Sequence, residues 1–207
     1  MSERCSRVPE DDGENGWFRT LRRDNVTLIT QPIVRVTADG IETASGSVEL
    51  DVIILATGYQ ADRVMLGIEI HGRNDAKVSA RLDGEPEAYL GMAVEDCPNF
   101  FVIPGPNGIP GHGGSAVFYA ECQVHYITEM LRHALEHDHR VFEVRPQAVR
   151  DFVEETIELH NNLVWANSSV TDWCQGTRDR VTAISPRRIV ELWETTRAVD
   201  VDAYACS

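Results

Sequence analysis

The 207-residue chain has no run of apolar residues long enough to span a bilayer, which argues against a membrane helix. Its opening stretch, MSERCSRVPEDDGENG, is polar and has no apolar signal core, so a cytoplasmic location is expected. Basic residues are scarce: 19 Lys and Arg stand against 33 Asp and Glu, a formal net charge of -14. Nucleic acid and anionic membrane surfaces are poor partners for such a chain, because phosphate binding needs a basic footprint. The simplest role of the excess acid is solubility. The cysteines (Cys5, Cys97, Cys122, Cys174, Cys206) are scattered and odd in number, and they form no CxxC. That argues against a disulfide framework or a zinc site and fits a reducing compartment. No internal repeat is present. Asn-x-Ser/Thr sequons at Asn25 and Asn167 lack a secretory context and read as chance.

The pattern that is present is α/β, strand-rich at first and helical later. Residues 25–30 (NVTLIT) and 33–37 read as short strands. A turn at Ala38-Asp39-Gly40 lets residues 41–44 pair back, and Ser45-Gly46 is a second turn. Residues 48–56 form the strongest strand pattern, alternating and then continuously apolar, as in a strand buried on both faces. Residues 60–90 read as loops and small strands. Residues 99–104 (NFFVIP) read as a second buried strand, followed by the Gly/Pro-rich loop GPNGIPGHGG. A helix then opens with Ser115 as N-cap and Ala120, Val124, Ile127, Leu131 and Leu135 as its apolar stripe. VFEVRP beyond Arg140 looks extended. Pro146 opens the next helix, with the stripe Val149, Phe152, Val153, Ile157 and His160. Residues 165–182 are irregular. A last helix over residues 186–197 carries Ile189, Val190 and Trp193 on one side.

Strand, glycine loop and helix over residues 99–136 make the most suggestive unit. A helix N-terminus presents unpaired N–H groups and a partial positive charge. Glycines let the backbone approach a phosphate or an electron-rich heterocycle edge such as a flavin pyrimidine. A glycine-rich surface loop is the equal alternative. Gly111-His112-Gly113-Gly114-Ser115-Ala116 formally fits G-x-G-x-x-A, but PGPNGIP separates it from its strand, which disfavours an independent dinucleotide turn. His112-Gly113-Gly114 is similar to the oxyanion loop of some esterases, yet no G-x-S-x-G supplies a nucleophile. His133, His137 and His139 have no HExxH or carboxylate partner at metal spacing, so solvated histidines near a helix C-terminus are preferred and no metal site is expected. Trp165, Trp173 and Trp193 read as packing rather than as pocket walls.

Two stretches then stand in a specific order. DVIILATGY, residues 51–59, resembles the second signature of class B flavoprotein monooxygenases, the Baeyer–Villiger and flavin-containing monooxygenases. CPNFFVIPGPNGIPGHGGS resembles their C-terminal flavin segment. EPEAYLGMAVEDCPNF, the helix with Glu121-Cys122-Gln123 and Tyr126-Ile127, and NGWFRTLRRDNVTLIT-QPIVRVTADGI are similar to the family as well, covering roughly residues 14–200, closest to the hydroxyacetophenone monooxygenase branch. The resemblance implies the C-terminal part of a two-dinucleotide-binding-domain flavoprotein. Residues 1–50 would be the remnant of an NADPH-binding domain, 51–145 the C-terminal part of an FAD-binding domain, and 146–207 a helical C-terminal segment. It implies FAD and NADPH as cofactors, a small ketone or heteroatom substrate in the parent enzyme, and a partner chain supplying the N-terminal domains as an alternative. Gly105, Pro106, Asn107, Gly113, Gly114 and Ser115 would face the flavin, with Thr57 and Gly58 at the domain crossover. The family's N-terminal GxGxxG, its second GxGxxG and its F-x-G-x-x-x-H are absent from this sequence. So is the region that carries the Baeyer–Villiger catalytic arginine, and no catalytic residue is assigned. The chain is expected to be incomplete for catalysis by itself. Asp172-Trp173-Cys174 stands where relatives often have Ser-Trp-Tyr.

Overall fold

A computed structural model describes residues 16–58, 63–65, 67–111, 113–166, 174–176 and 180–207. Cys5, Tyr59, His112, Asn167, Asp172 and Trp173 lie outside the described residues. The chain divides into two compact units, Met1–Thr57 and Gly58–Ser207.

In the first unit, a short helix α1 (Trp17–Leu21) precedes three strands, β1 (Ile33–Val36), β2 (Gly40–Thr43) and β3 (Gly46–Glu49), in an antiparallel sheet of order β1-β2-β3. The expected pairing-back is present, with Val36 opposite Ile41 and Thr43 opposite Gly46. Gly40 lies against β3: a Cβ there would sit 2.0 Å from the Val48 carbonyl oxygen, so the position must be bare. Two expectations fail. Residues 26–30 are irregular, and Leu28 is exposed. The strand expected over residues 48–56 ends at Glu49, and residues 50–58 are irregular and exposed, with Val52 at 73%, Ile54 at 85% and Leu55 at 81%. A strand buried on both faces needs a hydrogen-bonded neighbour and a covering layer on each side. Among the described residues no strand pairs with 51–56, so the apolar pattern has nothing to fold against.

The second unit is organised around the 22-residue helix α3 (Ala116–His137). Before it come a one-turn helix α2 (Val78–Arg81) and the two-residue strand β4 (Ile109–Pro110). After it come β5 (Phe142–Val144), α4 (Pro146–His160), β6 (Ile184–Ser185), α5 (Ile189–Thr196) and β7 (Tyr204–Cys206). Two long-range pairings close the unit: β4 runs parallel to β6, and β5 antiparallel to β7. The main core joins Tyr89, Met92, Tyr126, Met130, Phe142, Val149 and Tyr204. A second cluster packs Val78, Leu82, Val94 and Val102. Tyr126 accepts a hydrogen bond from the Asp200 amide at 3.2 Å, and burial pushes its phenol up to about 12.

Ser115 caps α3 as expected, and Pro146 is the first residue of α4, whose buried side carries Val149, Thr156 and His160. Residues 99–104 form no regular strand: Phe101 makes one isolated bridge to Ala93, and Asn99 takes a left-handed backbone (φ 58) that breaks an extended run. The stripe expected to be the inner face of α3 is also corrected. Tyr119, Cys122, Gln123, Tyr126 and Met130 are buried, whereas Val124, Leu131 and Leu135 are exposed. Both faces are apolar enough to be buried, and the tyrosines, with larger surface to cover, face the core. In α5 it is Leu192 and Thr196 that are buried; Val190 and Trp193 are exposed. Trp165 packs against Cys174, Val181 and Ile184.

Among the described residues no helix is long and apolar enough to cross a membrane, and no group of three or more His, Cys, Asp or Glu could hold a metal ion. The imidazoles of His133 and His137 stack at 4.0 Å, with His139 about 6 Å from each.

His71 gives a simple check on the local geometry. Its Nδ1 lies 2.6 Å from Asp75 and its Nε2 3.1 Å from Glu69, and these carboxylates raise its pKa above 6.5. The protonated form is therefore favoured in the folded state. Its stabilising contribution is complete below the unfolded pKa and is lost as pH rises through the raised folded value. An NMR titration of His71 should give a midpoint above 6.5; a midpoint at or below it would mean the two carboxylates do not bracket the ring.

Candidate functional site

The loop from Gly105 to Ser115 has a packed end and an open end. Gly105 and Pro106 are buried and Asn107 half-buried, while Gly113, Gly114 and Ser115 are exposed. At the packed end, the Gly105 amide donates to the Gly91 carbonyl at 3.0 Å, and the Asn107 amide to the Thr182 carbonyl at 2.7 Å. The Asn107 side chain, on a left-handed backbone (φ 53), donates from Nδ2 to the carbonyls of Val181 at 3.0 Å and Ile184 at 2.9 Å. The β4–β6 pairing continues this attachment.

Gln123, fully buried on the inner face of α3, ties the helix to the same loop. Its Nε2 donates to the carbonyls of Leu90 and Gly91, each at 3.1 Å. Gly91 thus accepts from both Gln123 and Gly105. A Cβ on Gly91 would lie 2.8 Å from the Pro106 oxygen, so loop and turn touch backbone to backbone. Neither Gly91 nor Gln123 stood out as a site residue in the sequence. Both lie inside family-like stretches, but only their contacts reveal the clamp.

At the open end, Gly113 (φ 83) and Gly114 (φ 103) adopt left-handed backbone conformations. Among the described residues, nothing stands within 4 Å of where a Gly113 Cβ would be, and a Gly114 Cβ would meet Ile189 Cδ1 at 3.1 Å. Ser115 Oγ accepts from the Phe118 amide at 3.3 Å, and the Ser115 carbonyl from Tyr119 at 3.1 Å. The amides of Ala116 and Val117 precede the first intrahelical bond and point out of the helix end. The first turn has no acidic side chain to offset its partial positive charge. This end can therefore receive an electron-rich or anionic edge along bare backbone. Burial pushes the Cys97, Cys122 and Cys206 thiols up, so none of the three is poised as a nucleophile.

Thr57 and Gly58 are exposed, and among the described residues nothing lies within 4 Å of a Cβ position on Gly58 (φ 80). Thr57 closes the first unit and Gly58 opens the second. The six remaining sequence-derived residues all lie in the one loop of the second unit.

No protein-family profile matches the chain. An uncharacterized monooxygenase, y4iD of Sinorhizobium fredii, is 33% identical over 193 residues, 92% of this chain and 29% of that protein. The FAD-binding monooxygenase ktnD of Aspergillus niger is 30% identical over 190 residues, 90% of this chain and 31% of that protein. Among solved structures, the OTEMO complex with FAD and NADP superposes with a TM-score of 0.76 at 27% identity, covering 97% of this chain and 38% of that one. A closed crystal structure of cyclohexanone monooxygenase gives a TM-score of 0.76 at 26% identity, covering 94% and 38%. The fold is that of the C-terminal part of a two-dinucleotide-binding-domain flavoprotein. Its homologues are Baeyer–Villiger and FAD-binding monooxygenases. The chain spans about a third of the length of these relatives.

Proposed function

We propose that this chain is the C-terminal portion of an FAD- and NADPH-dependent monooxygenase and that the open end of α3 meets the flavin ring. The observation that carries this reading is the open helix end itself: bare, left-handed Gly113 and Gly114 lead into a Ser115-capped helix with outward-pointing amides. In the parent reaction the flavin, reduced by NADPH, supplies the chemistry that inserts one oxygen atom into a ketone or oxidises a heteroatom. The residues of this chain bind and orient. The amides around Gly113, Gly114 and Ser115 favour negative charge on the ring edge. Gly105, Pro106 and Asn107 hold the rear of the loop in register, and Thr57 and Gly58 lie at the crossover between cofactor domains. Residues 1–50 then belong to the NADPH-binding domain, 51–145 to the FAD-binding domain and 146–207 to a helical end segment.

By this reading the chain is incomplete for catalysis alone, and the adenylate-binding glycines come from the remaining two-thirds of the fold. A second reading, a non-catalytic module that pairs with a separate chain, is favoured by the exposed run at Val52, Ile54 and Leu55. Both readings expect the isolated chain to lack stoichiometric flavin. Purification followed by a visible spectrum tests this: no flavin band is expected, and one flavin per chain would mean the site is complete here.

A further inference from the structure

We propose that Gln123 is a positioning residue: its buried side-chain amide fixes where the open end of α3 stands against the flavin. This rests on the cofactor reading above.

Gln123 is fully buried, and its Nε2 donates to the carbonyls of Leu90 and Gly91, each at 3.1 Å. The Gly91 carbonyl also accepts the Gly105 amide at 3.0 Å. Gly105 opens the loop that ends at Ser115, the cap of α3. These contacts close a ring. It runs from Gly91 to Gly105, along the loop to Ser115, down two turns of α3 to Gln123, and back to Gly91. Gln123 lies seven residues past Ala116, about 10 Å along the helix axis. A ring closed at that point sets how far the helix end stands out from the loop. With the amide removed, α3 can slide or turn against the loop, and the amides of residues 113–117 move with it.

The turn that receives Gln123 is one that needs holding. Leu90 and Gly91 take left-handed backbone in succession, φ 52 and φ 65. For a leucine that conformation is disfavoured and persists where surrounding contacts impose it. As packing alone, an amide is a poor choice at position 123. Gln123 Oε1 is buried with no hydrogen-bond partner among the described residues, whereas a methionine would fill similar space with no such atom to satisfy. What the amide supplies is direction: two N–H bonds that admit one height of the helix against the turn.

The test uses the complex of this chain with the N-terminal portion of the Sinorhizobium fredii relative, cut before its matched segment. Two quantities are read, the midpoint potential of the bound flavin and the hydrogen exchange of the Gly105 amide. Helix-end amides favour the added negative charge of a reduced flavin. Gln123→Met should therefore lower the potential by about 30 mV, a tenfold change in the two-electron equilibrium. It should also speed Gly105 exchange by about tenfold, as the ring opens locally. Val78→Ala, in the separate cluster with Leu82 and Val94, is the control: it should lower the Tm and leave both quantities unchanged. Gln123→Glu keeps the shape and, while protonated, one donor. Its potential should lie between wild type and Gln123→Met, and approach the latter as the carboxyl ionises against the two carbonyls. An unshifted potential in Gln123→Met, or an equal shift in Val78→Ala, overturns the proposal and leaves the cofactor reading standing. If Gln123→Met loses flavin altogether, an unshifted Gln123→Glu overturns it in the same way. A wild-type complex without flavin overturns the cofactor reading, and the proposal with it.

Discussion

Gly105→Ala is expected to destabilise the Gly58–Ser207 unit by about 3 kcal/mol, the upper part of the range for overpacking a dense interior. A Cβ on Gly105 would lie 2.5 Å from the Gly91 carbonyl oxygen, the group that accepts the Gly105 amide, and 3.2 Å from the Val102 oxygen. Both obstacles are backbone, so no flexible side chain can swing aside. The turn they belong to is also held by Gln123, which spreads the strain into α3. For a unit of this size the loss corresponds to a fall in Tm of about 6–12 °C. A thermal scan of the isolated chain reads it directly. A Tm within about 2 °C of wild type would mean that the GPN loop does not rest on the Leu90–Gly91 turn.

Gly114→Val should act differently, because Gly114 is exposed and, among the described residues, only Ile189 stands near a Cβ there. A β-branched residue at φ 103 must leave that backbone conformation, which displaces the first turn of α3. In the complex reconstituted with the N-terminal portion of a relative, flavin content and NADPH oxidation should fall together, by about tenfold or more if oriented N–H donors stabilise charge there. Ser115→Ala should be much milder, losing about 1 kcal/mol of capping. Normal flavin content and turnover in Gly114→Val would remove the loop from the cofactor contact even if the homology stands.

What the sequence made legible was local. Ser115 and Pro146 announce the starts of α3 and α4 because a capping hydroxyl and a proline at the first turn act on the nearest backbone groups. The Ala38-Asp39-Gly40 turn specifies the β1–β2 hairpin for the same reason. Residues 48–56 misled because an apolar run signals burial without supplying the partners that bury it, and nothing among the described residues covers it. The α3 stripe failed likewise: Ala120, Val124, Ile127, Leu131 and Leu135 have helical periodicity, but periodicity does not say which of two apolar faces meets the core. The glycine loop was located from its composition and its likeness to the flavin segment. Its division into a packed end and an open end depends on contacts with Gly91, Gln123 and residues 181–184, which are distant in sequence from the loop. The pairings β4–β6 and β5–β7 are equally non-local and carried no pattern of their own.

The central claim, that the open end of α3 contacts the flavin, is tested most directly by amide NMR. The chain would be isotope-labelled, assembled with the N-terminal portion of the Sinorhizobium fredii relative, and recorded with the flavin first oxidised and then reduced. The amides of Gly113, Gly114, Ser115, Ala116 and Val117 should shift on reduction, while those of the distant β5–β7 pair stay fixed. A flavin-loaded complex in which these five amides do not respond to reduction would contradict the account.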